Sequence, residues 1–489
     1  MQQNRLIDVS EQADMPLLKK QGPPNRMNDL NYSVWMKFQK SFFRHSSFEK
    51  LVEECVHFFT KAIWPDGSFS RSLIIGFDID RNIKSPREVD YIEIESVDDC
   101  MQKLDQSSGL YDFILINMID LIKTESELTG FLKTHASFFR ALRKKLADDR
   151  YCGLIVGMPG VGGAGFPIPW SVALAARNEF RLRDEKIALI EENGRIYYCV
   201  FLQAKTDGRP ATIWRPPDTE ISSSGKAIPG WIIPRPPPRK RNELLHPAKF
   251  PETLITEFIS IFTQPGDTVF DPMAGTGSAL LAAVQSKRNA VGIELSQNYV
   301  DITEQRFKDE YPPALLEDMR PSTSWQIIQG DANNLNLIGE IKSAQYDYCV
   351  TSPPYWSMLT NKGSEGQESR RKKNLPLVYS ESNDDLGNIQ DYDVFLDALE
   401  NIYNAIAMKL KPGGYLTVIV KNVKRDHVVY PISSDLVMRL ARKLGCYEYV
   451  GNTLWCQDDV KVKPFAVGIH WVSNTLHQYC LHFRKKEGT

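Results

Sequence analysis

Residues 269–278 read VFDPMAGTGS, an apolar run that turns through Gly275 and Gly277 straight into a helical pattern. A strand, a glycine turn and a helix in that order belong to a parallel α/β sheet. Glycine permits the tight turn and lets the backbone approach a ligand at the helix N-terminus. About twenty residues further on, VGIEL ends the next apolar run in Glu294, where a carboxylate can accept both hydroxyls of a ribose, as in dinucleotide folds. A phosphate loop would carry GK[ST] or GxGxxG. This one carries neither, and Asp271 ahead of it suits a cationic amino-acid ligand.

The chain has 489 residues, 42% apolar and 25% charged, with a formal charge of −2. These values predict a globular protein of several domains, and any nucleic-acid surface must be local because the chain is not basic overall. No apolar run reaches the roughly eighteen residues of a membrane span, and the N-terminus lacks a signal-type stretch. The cysteines are scattered, with no CxxC pair, so no metal site is predicted and the expected compartment is a reducing cytoplasm.

Residues 1–30 read as a polar arm. Residues 31–205 alternate helical patterns with strand candidates at Leu73–Phe77, Phe113–Asn117, Gly153–Gly157 and Tyr197–Leu202, which predicts an N-terminal α/β domain. Residues 206–245 are rich in proline, glycine and serine and predict a linker without regular structure. Arg239, Lys240 and Arg241 end it, either as a solvated tail or as a phosphate-contacting strap. Residues 246–489 resume the α/β pattern. Strands are predicted at Thr268–Phe270, Ala290–Ile293, Tyr348–Val350, Tyr415–Val420 and Gln478–Phe483, and helices at Pro251–Phe262 and Tyr392–Leu410. YDFILINMID near Tyr111 and YDYCVTSPPYW near Tyr346 are each followed by a helix, an apolar strand and later a lysine. The N-terminal domain is thus a candidate degenerate copy of the catalytic half, or simply another βαβ unit.

The second of those segments ends its strand in Ser352-Pro353-Pro354-Tyr355. In an open parallel sheet ligands bind beyond the carboxyl ends of the strands, which puts this tetrapeptide beside the glycine loop. Prolines fix φ and supply no N–H, so their carbonyls become rigid acceptors. An exocyclic amino nitrogen on an aromatic ring is a poor nucleophile. Acceptors holding its two hydrogens, Ser352 Oγ and the Pro353 carbonyl, turn its lone pair toward a methyl donor. Tyr355 offers a stacking platform for an everted base, with Trp356 extending it.

These motifs together resemble the amino-methyltransferases of DNA. HPAKFP, residues 246–251, resembles the segment packed over the methionine end of S-adenosylmethionine, and Asp271–Gly277 resembles the glycine-loop motif. The resemblance implies a Rossmann-like methyltransferase fold with a mixed, mostly parallel sheet. It implies S-adenosylmethionine contacts from Lys249, Pro251, Asp271, Pro272, Met273, Gly275, Gly277, Ser278, Glu294 and Leu295, and from Asp331 with Ala332 near the adenine. Met273 stands where an aromatic is often found. SPPY is closer to the cytosine-N4 group than to the adenine-N6 group. The implied function is methyl transfer to N4 of a flipped cytosine in double-stranded DNA, in a restriction–modification or phage-defence setting with cognate defence proteins as partners. Adenine-N6 methylation, an RNA amino-methyltransferase and a non-catalytic subunit are the alternatives. The loop from 357 to 390 is longer than an ordinary connection, and Arg370, Arg371, Lys372 and Lys373 in it are candidate phosphate contacts. Ser433, Ser434 and Asp435 read as helix caps.

Overall fold

The computed structural model describes residues 28–64, 66–76, 87–157, 168–204, 228, 230–233, 250–311, 323–354, 356, 385–425, 428–457 and 473–488. Two large sheets carry the fold, and each has helices on both faces. The N-terminal sheet holds β1 (Phe42–His45), β2 (Arg71–Gly76), β3 (Glu88–Glu93), β4 (Tyr111–Asn117), β5 (Leu146–Gly157), β6 (Phe180–Ile190) and β7 (Ile196–Ala204) in the order β1-β6-β7-β5-β4-β2-β3. On one face lie α1 (Tyr32–Lys37) and α2 (Phe48–Phe59), and on the other α3 (Val97–Gln106), α4 (Glu125–Lys145) and α5 (Ile168–Ala175). Apolar side chains cover both faces, which is why β4 reads YDFILIN without alternation.

The second sheet holds β8 (Trp231–Ile232), β9 (Thr268–Asp271), β10 (Asn289–Glu294), β11 (Trp325–Gln329), β12 (Tyr346–Thr351), β13 (Leu410–Val420), β16 (Tyr447–Cys456) and β17 (His477–Lys485). Between β13 and β16 the short strands β14 (Val423–Arg425) and β15 (Val428–Tyr430) form a separate ribbon. The order is β11-β10-β9-β12-β13-β17-β16-β8; β17 runs antiparallel to both neighbours and the other pairings are parallel. Helices α6 (Glu252–Phe262) and α7 (Ser278–Gln285) cover one face, and the helix Tyr392–Lys409 covers the other. Helix α8 (Gln297–Glu310) packs beside β10 and β11.

Written from the same end, β1-β6-β7-β5-β4-β2-β3 matches β8-β16-β17-β13-β12-β9-β10 in order and in the direction of every pairing. The register slips at Tyr111/Phe113 in one sheet and at Tyr346/Tyr348 in the other. Within those slips Asp112 and Asp347 each accept the N–H that opens the neighbouring strand, from Arg71 at 3.0 Å and from Thr268 at 2.9 Å.

The two domains meet across β6, β7 and β17. Tyr198 stacks on Tyr479 with ring centroids 6.3 Å apart and an interplanar angle of 18°. Glu185, 1% exposed, accepts from Tyr479 Oη at 2.7 Å and from Asn422 Nδ2 at 3.1 Å. Asp184 pairs with Lys424 and accepts from the Ser473 N–H at 2.5 Å.

Strands β1, β3, β6, β8, β11, β14, β15 and β16 were not predicted. The sequence of β6, FRLRDEKIALI, carries four successive charged residues that are all buried, three of them bonded in or beside the domain interface. Such partners are invisible to periodicity. The stretch read as a structureless linker contributes β8, which pairs with β16 at Leu454 and Trp455. Ser433, Ser434 and Asp435 are not caps. The helix Ile432–Val437 has Pro431 at its N-cap; Ser433 donates to Asn422 Oδ1, and Asp435 accepts from Tyr392 Oη at 2.6 Å. No helix among the described residues is long and apolar enough to cross a membrane.

Candidate active site

Four neighbouring strand ends, from β10, β9, β12 and β13, face one edge of the second sheet. The glycine loop leaves β9 with Gly275 at φ +54° and Gly277 at φ +73°. Gly277 opens α7, and a Cβ there would stand 2.3 Å from Thr303 Cγ2. The loop is braced from three sides. Glu294 Oε2 accepts the Gly275 N–H at 2.8 Å, while its Oε1 accepts from Ser296 at 2.9 Å. Thr303 Oγ1 donates to the Gly275 carbonyl at 3.2 Å. Arg306 bonds the Thr276 carbonyl and pairs with Glu252 at 2.5 Å, and Glu252 also accepts from Ser278 Oγ at 3.2 Å. The start of α6 is thereby tied to the loop.

Above these ends is a cavity of about 870 Å³, solvent at its mouth included. Pro272, Met273, Gly275, Ser278, Glu294, Leu295, Asp331 and Ala332 line it, together with Ser352, Pro353 and Pro354 from the end of β12. The two halves of the predicted site therefore share one cleft. Asp331 caps a short 3-10 turn, accepting from the Asn333 N–H at 2.9 Å, and lines the cleft as well. Ser352 Oγ is buried without a hydrogen-bond partner. A buried hydroxyl in that state is available to a ligand.

Several predicted residues stand elsewhere. Asp271, Gly277 and Pro251 do not line the cavity. Asp271 is 1% exposed beneath the loop, where its Oδ1 accepts from the Met273 N–H at 3.1 Å. Trp356 is no open platform: it is 2% exposed and packs on Tyr392 and Tyr430, with the Arg425 guanidinium 5.2 Å above its ring. Lys249, Tyr355, Arg239, Lys240, Arg241, Arg370, Arg371, Lys372 and Lys373 lie outside the described residues. Sequence reasoning missed Asp385 and Leu386, which reach the cleft from the C-terminal end of the long loop, and Tyr299, Asn333 and Phe250. Phe250 stood within the quoted HPAKFP segment. Nothing local marks the others, because they enter through chain reversals.

The cleft is acidic. Burial pushes the Asp271 carboxyl up to about 7, with the hydrogen bond from the Met273 N–H offsetting part of the rise. Burial also raises Glu294, backbone hydrogen bonds oppose this, and the charge of Asp385 adds to the rise. Buried carboxylates around a cavity whose lining, among the described residues, includes no cationic side chain call for a cationic ligand.

An open, mostly parallel sheet with one strand, β17, running antiparallel to both neighbours is the Rossmann-like fold of S-adenosylmethionine-dependent methyltransferases. The chain belongs to the N6/N4 DNA methylase family, whose model matches residues 14–305. Among curated proteins it is similar to the putative methylase YubD of Escherichia coli, 35% identical over 114 residues that make up 23% of this chain and 42% of that protein. The orphan methyltransferase M.BamHII of Bacillus amyloliquefaciens is 41% identical over 64 residues, 13% of this chain and 24% of its own length. The DNA adenine methyltransferase YhdJ of Escherichia coli is 27% identical over 142 residues, 27% of this chain and 48% of that one. Each match spans less than half of the relative. Among solved structures, TrmN from Thermus thermophilus is 10% identical over 65% of this chain and 67% of that one, at a TM-score of 0.30. A likeness that shallow does not bear on substrate.

S-adenosylmethionine is the family's cofactor, and the acidic, loop-floored cleft fits its cationic methionine end and its ribose. Its affinity is expected to rise with pH. Asp271 holds its proton up to about 7 in the folded protein, well above the unfolded carboxylate near 3.9. In the free protein this raised value lowers stability progressively as pH climbs from about 4 through 7. A bound cation favours the ionised form and releases the proton. Calorimetry in buffers of different ionisation heat should show proton release on binding at pH 7, and tighter binding at pH 8 than at pH 6. Equal affinity at both values would remove Asp271 from the linkage.

Proposed function

We propose that the chain transfers a methyl group from S-adenosylmethionine to an exocyclic amino nitrogen of a base everted from double-stranded DNA, and that the base is cytosine, methylated at N4. The observation that carries the reading is that Ser352, Pro353 and Pro354 line the same cavity as Gly275 and Glu294. When bound, the cofactor supplies an electrophilic methyl group. Glu294 is placed for the ribose and Asp331 for the adenine side. Asp271 holds the loop from below and adds negative charge. Ser352 Oγ and the Pro353 carbonyl accept from the two amino hydrogens and fix the nitrogen lone pair, so positioning and electrostatics supply most of the rate. Everting the base costs a few kcal/mol, and stacking on Tyr355 returns about 1–3 kcal/mol.

Cytosine is preferred over adenine on the serine that opens SPPY. Duplex DNA methylated by the purified chain, digested to nucleosides and weighed, is expected to yield N4-methyldeoxycytidine. N6-methyldeoxyadenosine would move the target to adenine, and no methylated nucleoside would remove the reading. Relatives whose names describe them as type II methyltransferases support a restriction–modification or phage-defence setting, with cognate defence proteins as partners.

The N-terminal domain is, in this reading, an inactive duplicate of the catalytic fold. The shared strand order, the matched register slips and the paired Asp112 and Asp347 contacts support it. At the end of β4, where Ser352 stands in the other sheet, Asn117 Oδ1 accepts from its own chain at the Ile119 N–H, 3.1 Å away. A family match running from residue 14 through the cofactor half to residue 305 fits a gene whose older catalytic half came first.

A further inference from the structure

Methyl transfer to an amino group leaves a cationic nitrogen that must lose a proton. Ser352 Oγ and the Pro353 carbonyl accept hydrogen bonds, but neither takes up a proton at neutral pH. Strand order points to a group that can. The cavity lies over the ends of β10, β9 and β12, so the far side of the acceptors belongs to β13. Thr351 pairs with Val418 in parallel register. Strands β12 and β13 lie about 4.8 Å apart at that pair, and the chain runs on from them past Ser352 and Pro353 to Pro354 and past Val420 to Lys421, just beyond the two strand ends.

Lys421 is half-buried, and its ammonium has neither an ion pair nor a hydrogen bond among the described residues. A lysine drawn out of water without a carboxylate partner is costly and marks a functional position. The charged groups around this strand end are already engaged. Lys424 on β14 pairs with Asp184 of β6, Glu185 of β6 accepts from Asn422 and Tyr479, and His477 of β17 lies 3.6 Å from Glu185. Arg425 lies over Trp356.

We propose that Lys421 touches the everted base and takes the proton that the methylated amino group releases. The proposal rests on the reading of the chain as a DNA amino-methyltransferase. In the step, the new N–C bond forms as the S–C bond breaks, and the nitrogen becomes cationic. The Nζ lone pair of neutral Lys421 then accepts one N–H proton, and the resulting ammonium passes it to solvent. Burial, with the Lys424 charge adding to it, lowers Lys421 to about 8, so a useful fraction is neutral in the physiological range.

The test is single-turnover methylation of duplex DNA by the full chain and by Lys421→Met and Lys421→Arg, from pH 6 to 9, with cofactor affinity measured alongside. Both variants are expected to bind the cofactor within threefold of wild type and to lose on the order of 100-fold in rate. The rise in rate toward pH 8 should vanish in both. Lys421→Ala should regain rate when methylamine is added, which a merely structural role would not produce. A normal rate and pH profile in Lys421→Met, full activity in Lys421→Arg, or no amine rescue would overturn the proposal. A wild-type chain that methylates no DNA would instead overturn the function on which it rests.

Discussion

Gly277→Ala is expected to weaken cofactor binding by roughly 100-fold, or about 2.8 kcal/mol. Two costs add at this position. The residue sits at φ +73°, a region that costs a non-glycine residue about 1–2 kcal/mol. The added methyl would also stand 2.3 Å from Thr303 Cγ2 and 2.9 Å from its Oγ1. Thr303 cannot yield easily, because it is fully buried in α8 and its hydroxyl bonds the carbonyls of Tyr299 and Gly275 at 2.9 and 3.2 Å. A β-branched side chain in a helix has few other rotamers. The loop must shift instead, and the Gly275 N–H contact with Glu294 goes with it. Calorimetric titration should find one cofactor site per wild-type chain and no measurable site in the variant at the same concentrations. Adding Thr303→Ala should recover part of the affinity by relieving the clash while leaving the φ strain. Binding within threefold of wild type in Gly277→Ala would sink this account of the loop.

Glu185→Ala should carry the largest stability loss, about 3–5 kcal/mol, because it leaves two buried donors, Tyr479 Oη and Asn422 Nδ2, without their acceptor at roughly 1–3 kcal/mol each. Tyr479 Oη and Asn422 Nδ2 both lose their acceptor, and His477 loses the carboxylate 3.6 Å away. At roughly 2–4 °C per kcal/mol for domains of this size, the melting temperature should fall by about 10 °C. Glu185→Gln should fall by less, since its carbonyl still accepts from one donor. Differential scanning calorimetry reads both. A shift under about 2 °C in Glu185→Ala would mean that the interface stabilises neither domain. The consequence reaches the cleft, because Asn422 also accepts from the Ser433 N–H and Oγ at 3.0 and 2.9 Å and follows Lys421 directly. The N-terminal domain thereby holds the end of β13 against the catalytic sheet.

Much of the catalytic half is written in local sequence. Each of its five predicted strands overlaps an observed one, since parallel strands covered on both faces are short apolar runs between turn residues. Gly275, Gly277 and Glu294 were legible because their roles depend on backbone conformation and on spacing along one βαβ unit. Paired prolines at a strand end read equally well as a simple turn, so SPPY drew its meaning from the glycine loop and Glu294 earlier in the chain. The observed strands run longer: β13 begins at Leu410 rather than Tyr415, and β5 at Leu146 rather than Gly153, because pairing with a neighbour extends a strand through polar residues.

The sequence by itself determined the sheet type, the glycine loop after β9 and the paired prolines at the end of β12, because each is set by residues within a few turns of one another. Tertiary structure decided which of them touch. It put Asp271 under the cleft and not in it, turned Trp356 into the core against Tyr392 and Tyr430, and brought Asp385 in from the C-terminal end of the long loop. It also made a strand of FRLRDEKIALI, whose Asp184 and Glu185 find their partners roughly 240 to 290 residues away. Burial of a charge depends on groups that only the folded chain brings near, and no local pattern encodes that distance.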